Sequence, residues 1–211
     1  MTQFIVIEGI DGSGTTTQSE LLKEYLLGKG RKAIVSPEPS EGIIGRFVRS
    51  ILQNKDLLNH GNQRFDEQMA YLFAADRYDH LYNQKNGVFK LIEEGYYVIS
   101  TRYYFSSLAY NGNTLQEWEL IETLNHKFPQ PDLVIYLDLP VEISLERMKD
   151  RSHKEVYENQ AKLTKVRENY GKIFANYSGK LLTIDGTKTF DEIHRQIVKN
   201  AWQVGNSAIN I

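Results

Sequence analysis

The chain has 211 residues, 41% of them hydrophobic and 25% charged, a size and balance that suit one self-sufficient domain and exclude general disorder. It has no cysteine, which excludes disulfides and thiolate metal sites, and its formal net charge of -2 argues against a polymeric nucleic acid and for a small anionic partner. The opening "MTQFIVIEG" lacks the features of a leader and no apolar run reaches membrane-spanning length, so a cytoplasmic protein without a membrane partner is expected.

The first short apolar run, "FIVIE" at 4 to 8, leads into Gly9, Ile10, Asp11, Gly12, Ser13, Gly14, Thr15, Thr16 and Thr17, then a segment with Leu21, Leu22 and Tyr25 at helical spacing. A strand, a glycine-rich turn and a helix N-terminus aim backbone N–H groups and the positive helix end at one anion. The spacing is that of the phosphate-binding pattern G-x-x-x-x-G-K-S/T with one exception: Thr15 stands where lysine is expected. Thr15 can donate a hydrogen bond but carries no charge. Preorganised charge of this kind is worth ~3–4 kcal/mol, so the loop should still bind a nucleotide while catalysis finds its charge elsewhere. The Thr16 hydroxyl is a candidate Mg²⁺ ligand, with Glu8 a second candidate through water or, equally, a group that orients the loop.

Further along come a strand "KAIVS" at 32 to 36 and a helix carrying Ile44, Phe47, Val48, Ile51 and Leu52. "GNQRF" near 61 reads as a loop, and Phe65, Met69, Leu72 and Phe73 mark another helix. "YYVIS" at 96 to 100, "DLVIYLDL" at 132 to 139 and "KLLTID" at 180 to 185 are strands, with a loop expected at "NGNTLQ" near 111. Continuous apolar strands alternating with helices predict a three-layer α/β/α fold around a five-stranded parallel sheet. Without a linker or repeat, residues 1–211 read as one domain. The polar stretch at 149 to 160, "KDRSHKEVYENQ", fits a solvated surface helix or a lid over a phosphate site. Glu8 and Asp138 end strands next to the crevice where such sheets bind ligands, and the five histidines show no ligand spacing.

Five segments in order, "FIVIEGIDGSG", "EPSEGIIGRFVR", "LFAADRYDH", "STRYYFSSLAYNG" and "PDLVIYLDLPVEISLERMKDR" leading into "EVYEN", resemble the thymidylate kinase family over nearly the whole chain. The resemblance implies a P-loop kinase fold with a short helical lid at about 149–160. It implies Mg²⁺-assisted transfer of the γ-phosphoryl of ATP to dTMP, giving dTDP for dTTP synthesis, and a homodimer. Residues 9 to 17, Arg147 and Arg151 would then bind ATP. Phe73 would stack on the thymine and Arg77 hydrogen-bond it, one helical turn away on the same face. Arg49 and Arg102 would clamp the dTMP phosphate. Ser107 and Asn111 would contact the base, and Tyr157, Glu158 and Asp11 the sugar. Because Gly12 rather than a basic residue follows Asp11, the chain resembles the subtype whose lid carries the transferring arginine, a role that falls to Arg151; an ion pair of Arg151 with Glu155 is the alternative.

The chain departs from the family pattern in four places. Thr101 stands for the aspartate of a D-R-Y triplet, Thr15 for the lysine, Pro37 for an arginine before E-P, and Asn111 for a glutamine. The loss of one cation and one anion leaves the net charge of the site unchanged, which suggests that the two threonines are coupled. Thr15 and Thr101 raise the alternative of a catalytically impaired nucleotide-binding pseudo-kinase, and Asn111 and Pro37 that of a nucleoside monophosphate kinase of relaxed base specificity.

Overall fold

The computed structural model describes residues 3–58, 62–149 and 159–201. The five apolar runs form β1 (Phe4–Gly9), β2 (Ala33–Val35), β3 (Tyr97–Thr101), β4 (Leu133–Asp138) and β5 (Leu181–Asp185). They pair in parallel in the order β2-β3-β1-β4-β5. The central β1 is buried along its whole length, because helices cover both faces and each of its side chains meets one layer or the other. Phe4 and Val6 join the larger core with Val48, Met69, Tyr103, Tyr170 and Phe174. Ile5 and Ile7 face the smaller core with Leu22, Leu26, Ile193 and Ile197. The result is the predicted α/β/α sandwich.

The helices are α1 (Thr15–Gly28), α2 (Ile43–Gln53), α3 (Asn62–Tyr82), α4 (Val88–Glu93), α5 (Tyr104–Asn111), α6 (Leu115–Asn125), α7 (Val141–Met148), α8 (Gln160–Ala175) and α9 (Phe190–Ala201). Two loop expectations are corrected. Residues 62 to 65 of "GNQRF" form the first turn of α3, whose buried Phe65 and Met69 anchor it one turn apart. "NGNTLQ" is a loop only between α5 and α6, where Thr114 and Glu117 form a reciprocal capping box that starts the second helix. Of the apolar residues at helical spacing on α2, Phe47 is exposed, while Val48, Ile51 and Leu52 are buried. Among the described residues no helix is long and apolar enough to cross a membrane.

Register places Ile7 beside Thr101 and Gly9 beside Leu137. The carboxyl ends of β1, β3 and β4 thus open on one edge of the sheet, and the loops that leave them build the site.

Candidate active site

The loop after β1 turns through Gly12 (φ 76°) and Gly14 (φ 95°), left-handed conformations that favour glycine. A Cβ on Gly12 would also meet the Ser144 carbonyl oxygen at 2.9 Å. Ser13 N–H closes the turn on the Ile10 carbonyl at 3.0 Å, and Ser144 Oγ ties the loop to α7 by donating to the Asp11 carbonyl at 2.6 Å. α1 begins at Thr15 without a side-chain cap or an acidic residue in its first turn, which leaves its first N–H groups available to an anion. Asp11, Gly12, Gly14, Thr15, Thr16 and Thr17 form one wall of a cleft of about 1080 Å³. Ile10 and Ser13 lie beneath the loop, both buried. Thr101 faces the same cleft at 8% exposure.

Arg102, just past β3, has a left-handed backbone (φ 72°) that turns its side chain back under the phosphate loop. Its guanidinium pairs with Asp11, donates to the Gly9 carbonyl at 3.1 Å and to Ser106 Oγ at 3.2 Å, and lies 5.0 Å from the Tyr110 ring centre. Tyr110 in turn donates to the other Asp11 oxygen at 2.9 Å. Glu8 is fully buried and accepts from Tyr103 N–H at 2.7 Å, Ser106 Oγ at 2.7 Å and Tyr170 Oη at 2.8 Å. Both of its oxygens are therefore engaged by protein donors, the arrangement expected of a loop-orienting group. Burial pushes its carboxyl up to about 6, against the lowering effect of Arg102 and these hydrogen bonds.

The other predicted acceptor residues converge on the same cleft: Arg49, Phe73, Arg77, Ser107 and Asn111 all line it. Arg49 pairs with Glu41 at 2.9 Å and also donates to the Pro39 carbonyl. Arg77 is only 1% exposed and rests on a buried network that sequence reasoning did not foresee. Glu38 Oε2 receives Arg77 Nη2 at 2.7 Å and Nε at 2.9 Å, and Glu38 Oε1 lies 3.1 Å from His80 Nδ1. A carboxylate only accepts, so the proton is assigned to Nδ1 of His80; in the neutral ring Nε2 then accepts from Ser36 Oγ at 2.7 Å. Burial alone would raise the Glu38 carboxyl, but Arg77 and His80 outweigh it and hold it below the usual carboxylate value. Ser107 Oγ accepts from Arg77 Nη2 at 3.2 Å.

Arg147 also lines the cleft, donates to the Gly186 carbonyl at 3.0 Å and lies 5.7 Å from the Phe190 ring centre. Lys188, Thr189 and Phe190, at the start of α9, line it too. The sequence reading missed them, and "TKTF" carries no pattern that could have flagged them. Asp138 is engaged by both Nε and Nη2 of Arg167, at 2.8 and 3.2 Å. Arg151, Tyr157, Glu158 and most of the expected lid lie outside the described residues. Thr16 and Glu20, one turn apart on α1, both face the cleft, and hard oxygen donors beside a phosphate cradle fit Mg²⁺.

Gly12, Gly14 and Thr15 of the glycine-rich loop and the Phe73–Arg77 pair of α3 thus line one cleft. A "Probable thymidylate kinase" of Methanococcus aeolicus is 39% identical over 204 residues, covering 94% of this chain and 95% of that protein. One from Pyrococcus horikoshii is 37% identical, covering 92% and 93%, and "Probable thymidylate kinase 1" of Saccharolobus solfataricus is 38% identical, covering 94% and 96%. The family model described as thymidylate kinase matches residues 7–197, a span that takes in every wall of the cleft, and the chain belongs to the thymidylate kinase family.

Proposed function

We propose that the chain transfers the γ-phosphoryl of ATP to the phosphate of dTMP, releasing ADP and dTDP, and that it does so in the cytoplasm for dTTP synthesis. The observation that carries this reading is the single cleft joining the phosphate loop to the Phe73–Arg77 end. The first N–H groups of α1 and the turn at Gly12 to Gly14 hold the donor phosphates, and Arg147 with Phe190 flanks the donor base. Phe73 stacks on the acceptor base while Arg77 reads its edge. Arg49 and Arg102 fix the acceptor phosphate in line with the donor, so positioning and electrostatics supply most of the rate. The Thr16 hydroxyl would hold Mg²⁺, which would supply charge neutralisation to the donor phosphates. Arg151 brings the remaining positive charge in place of the missing lysine, and Tyr157 and Glu158 cover the acceptor sugar. The impaired pseudo-kinase reading draws no support from the comparisons.

The test is an ADP-release assay with ATP–Mg²⁺ and a panel of nucleoside monophosphates. dTMP should give the highest turnover, falling at least about a hundredfold in Arg102→Ala. Turnover with dTMP no greater than that of the variant rejects the reading. Exposed Ile43 (79%) and Phe47 on α2, with Tyr71 and Tyr78 on α3, support a homodimer through these neighbouring helices. Light scattering should report a dimer for the native chain and a monomer for Tyr78→Glu.

A further inference from the structure

A guanidinium carries five N–H donors and no acceptor. In Arg77 three of them make hydrogen bonds within the described residues: Nε to Glu38, one Nη2 hydrogen to Ser107 and one Nη1 hydrogen to Asn125 Oδ1. The second Nη2 hydrogen belongs to the nitrogen that pairs with the Glu38 carboxylate at 2.7 Å. One Nη1 hydrogen remains for a ligand in the cleft that Arg77 lines.

The orientation of that last donor depends on Asn125. This residue ends α6, is buried, and is absent from the cleft wall, so it can influence a ligand only through Arg77. Its amide is fixed in one sense. Nδ2 donates to the Ile121 carbonyl at 2.7 Å, one helical turn back, which leaves Oδ1 as the acceptor for Arg77. A flipped amide would set oxygen against the Ile121 carbonyl and an NH₂ against a guanidinium, two repulsive contacts in a buried place. The Tyr103 and Phe128 ring centres lie 5.3 and 5.9 Å from the guanidinium carbon and add to its confinement.

We propose that Asn125 is a positioning residue that sets acceptor-base specificity, by holding Arg77 so that it presents a single N–H to the cleft. A base with a carbonyl at that edge accepts the hydrogen bond. A base with an amino group there meets a donor with a donor. The inference rests on the reading of Arg77 as the base-contacting arginine.

Asn125→Leu and Asn125→Asp separate positioning from mere structure. Both lose the Nδ2 bond to Ile121, so both should lower Tm; only aspartate keeps an acceptor for Nη1. Asn125→Leu should raise KM for dTMP about tenfold, the loss expected for one hydrogen bond to a charged donor, with kcat changed less than about threefold. Its preference for dTMP over dCMP in kcat/KM should narrow by a similar factor. Asn125→Asp should keep KM and preference within about threefold of the native values. If the two variants shift KM and preference alike, or if Asn125→Leu matches the native chain, the proposal is overturned while the kinase reading stands. Should the native chain not turn over dTMP, that reading fails instead. Calorimetric binding of dTMP and dCMP to the same proteins then decides the role of Asn125, an unchanged affinity ratio in Asn125→Leu rejecting it. Asn125→Ala takes the place of leucine if the latter does not fold.

Discussion

Glu8→Gln should make the protein's stability less sensitive to pH. In the folded chain the Glu8 carboxyl titrates near about 6, against 4.5 for the free group. The folded state therefore holds this proton more tightly than the unfolded state. The stabilisation that protonation brings is fully present below pH 4.5 and is lost as the pH rises through about 6. The gap corresponds to about 2 kcal/mol in total, of which about 1 kcal/mol falls between pH 5 and 7.5. Glutamine is a fair replacement: its oxygen can accept from Tyr103 N–H, and its NH₂ can donate to the hydroxyl oxygens of Ser106 and Tyr170, which rotate to suit. Urea unfolding of both proteins at a series of pH values gives the difference in stability, and other carboxylates cancel in it. That difference should move in favour of the variant by about 1 kcal/mol from pH 5 to 7.5. A flat difference, or one that moves toward the native chain, would refute the assignment of a buried, poorly solvated carboxyl at this position.

Thr101→Asp alone should cost about tenfold in turnover, because it adds a carboxylate at a nearly buried position where burial is costly without a partner. Combined with Thr15→Lys it should recover more than the single effects predict, and strict additivity of the three log rates in the ADP assay would remove the coupling. Gly12→Ala, forced to a left-handed φ and to within 2.9 Å of the Ser144 carbonyl, should lose about 1–3 kcal/mol in urea unfolding and raise KM for ATP; unchanged values of both would contradict the tight turn. Phe190→Ala should raise KM for ATP about tenfold and leave KM for dTMP unaltered, since the ring lies beside Arg147; a shift confined to dTMP would place the two nucleotides the other way round.

The fold was legible because its central strands are buried on both faces, so "FIVIE" and "DLVIYLDL" announce themselves without any alternation. The phosphate loop was legible for a similar reason: its glycines and its flanking strand and helix leave a fixed spacing. Asn62 to Phe65 misled because glycine and polar residues favour loops locally, while packing of Phe65 and Met69 recruits the segment into α3. The Ser36–His80–Glu38–Arg77–Asn125 network was hidden. Polar residues on helices read as solvated surface, and nothing in the spacing of positions 36, 38, 77, 80 and 125 reveals that folding brings them together and buries all but Ser36. Lys188 to Phe190 were invisible because their contribution is placement at the end of β5 rather than any distinctive chemistry.

The pairing of the cleft's arginines has an electrical consequence. Arg102 faces Asp11, Arg77 faces Glu38, and Arg49 faces Glu41, so these three cations each arrive with a counter-charge, whereas Arg147 and Lys188 line the cleft with no ion pair among the described residues. If Arg49 and Arg102 receive the acceptor phosphate as proposed, it meets cations that are already paired, and its association rate should vary only weakly with ionic strength. On the proposed roles binding is then an exchange of partners, in which the phosphate must win Arg102 from Asp11. Because Asp11 belongs to the glycine-rich loop proposed to hold the donor, each such exchange would change the field felt by the donor phosphates.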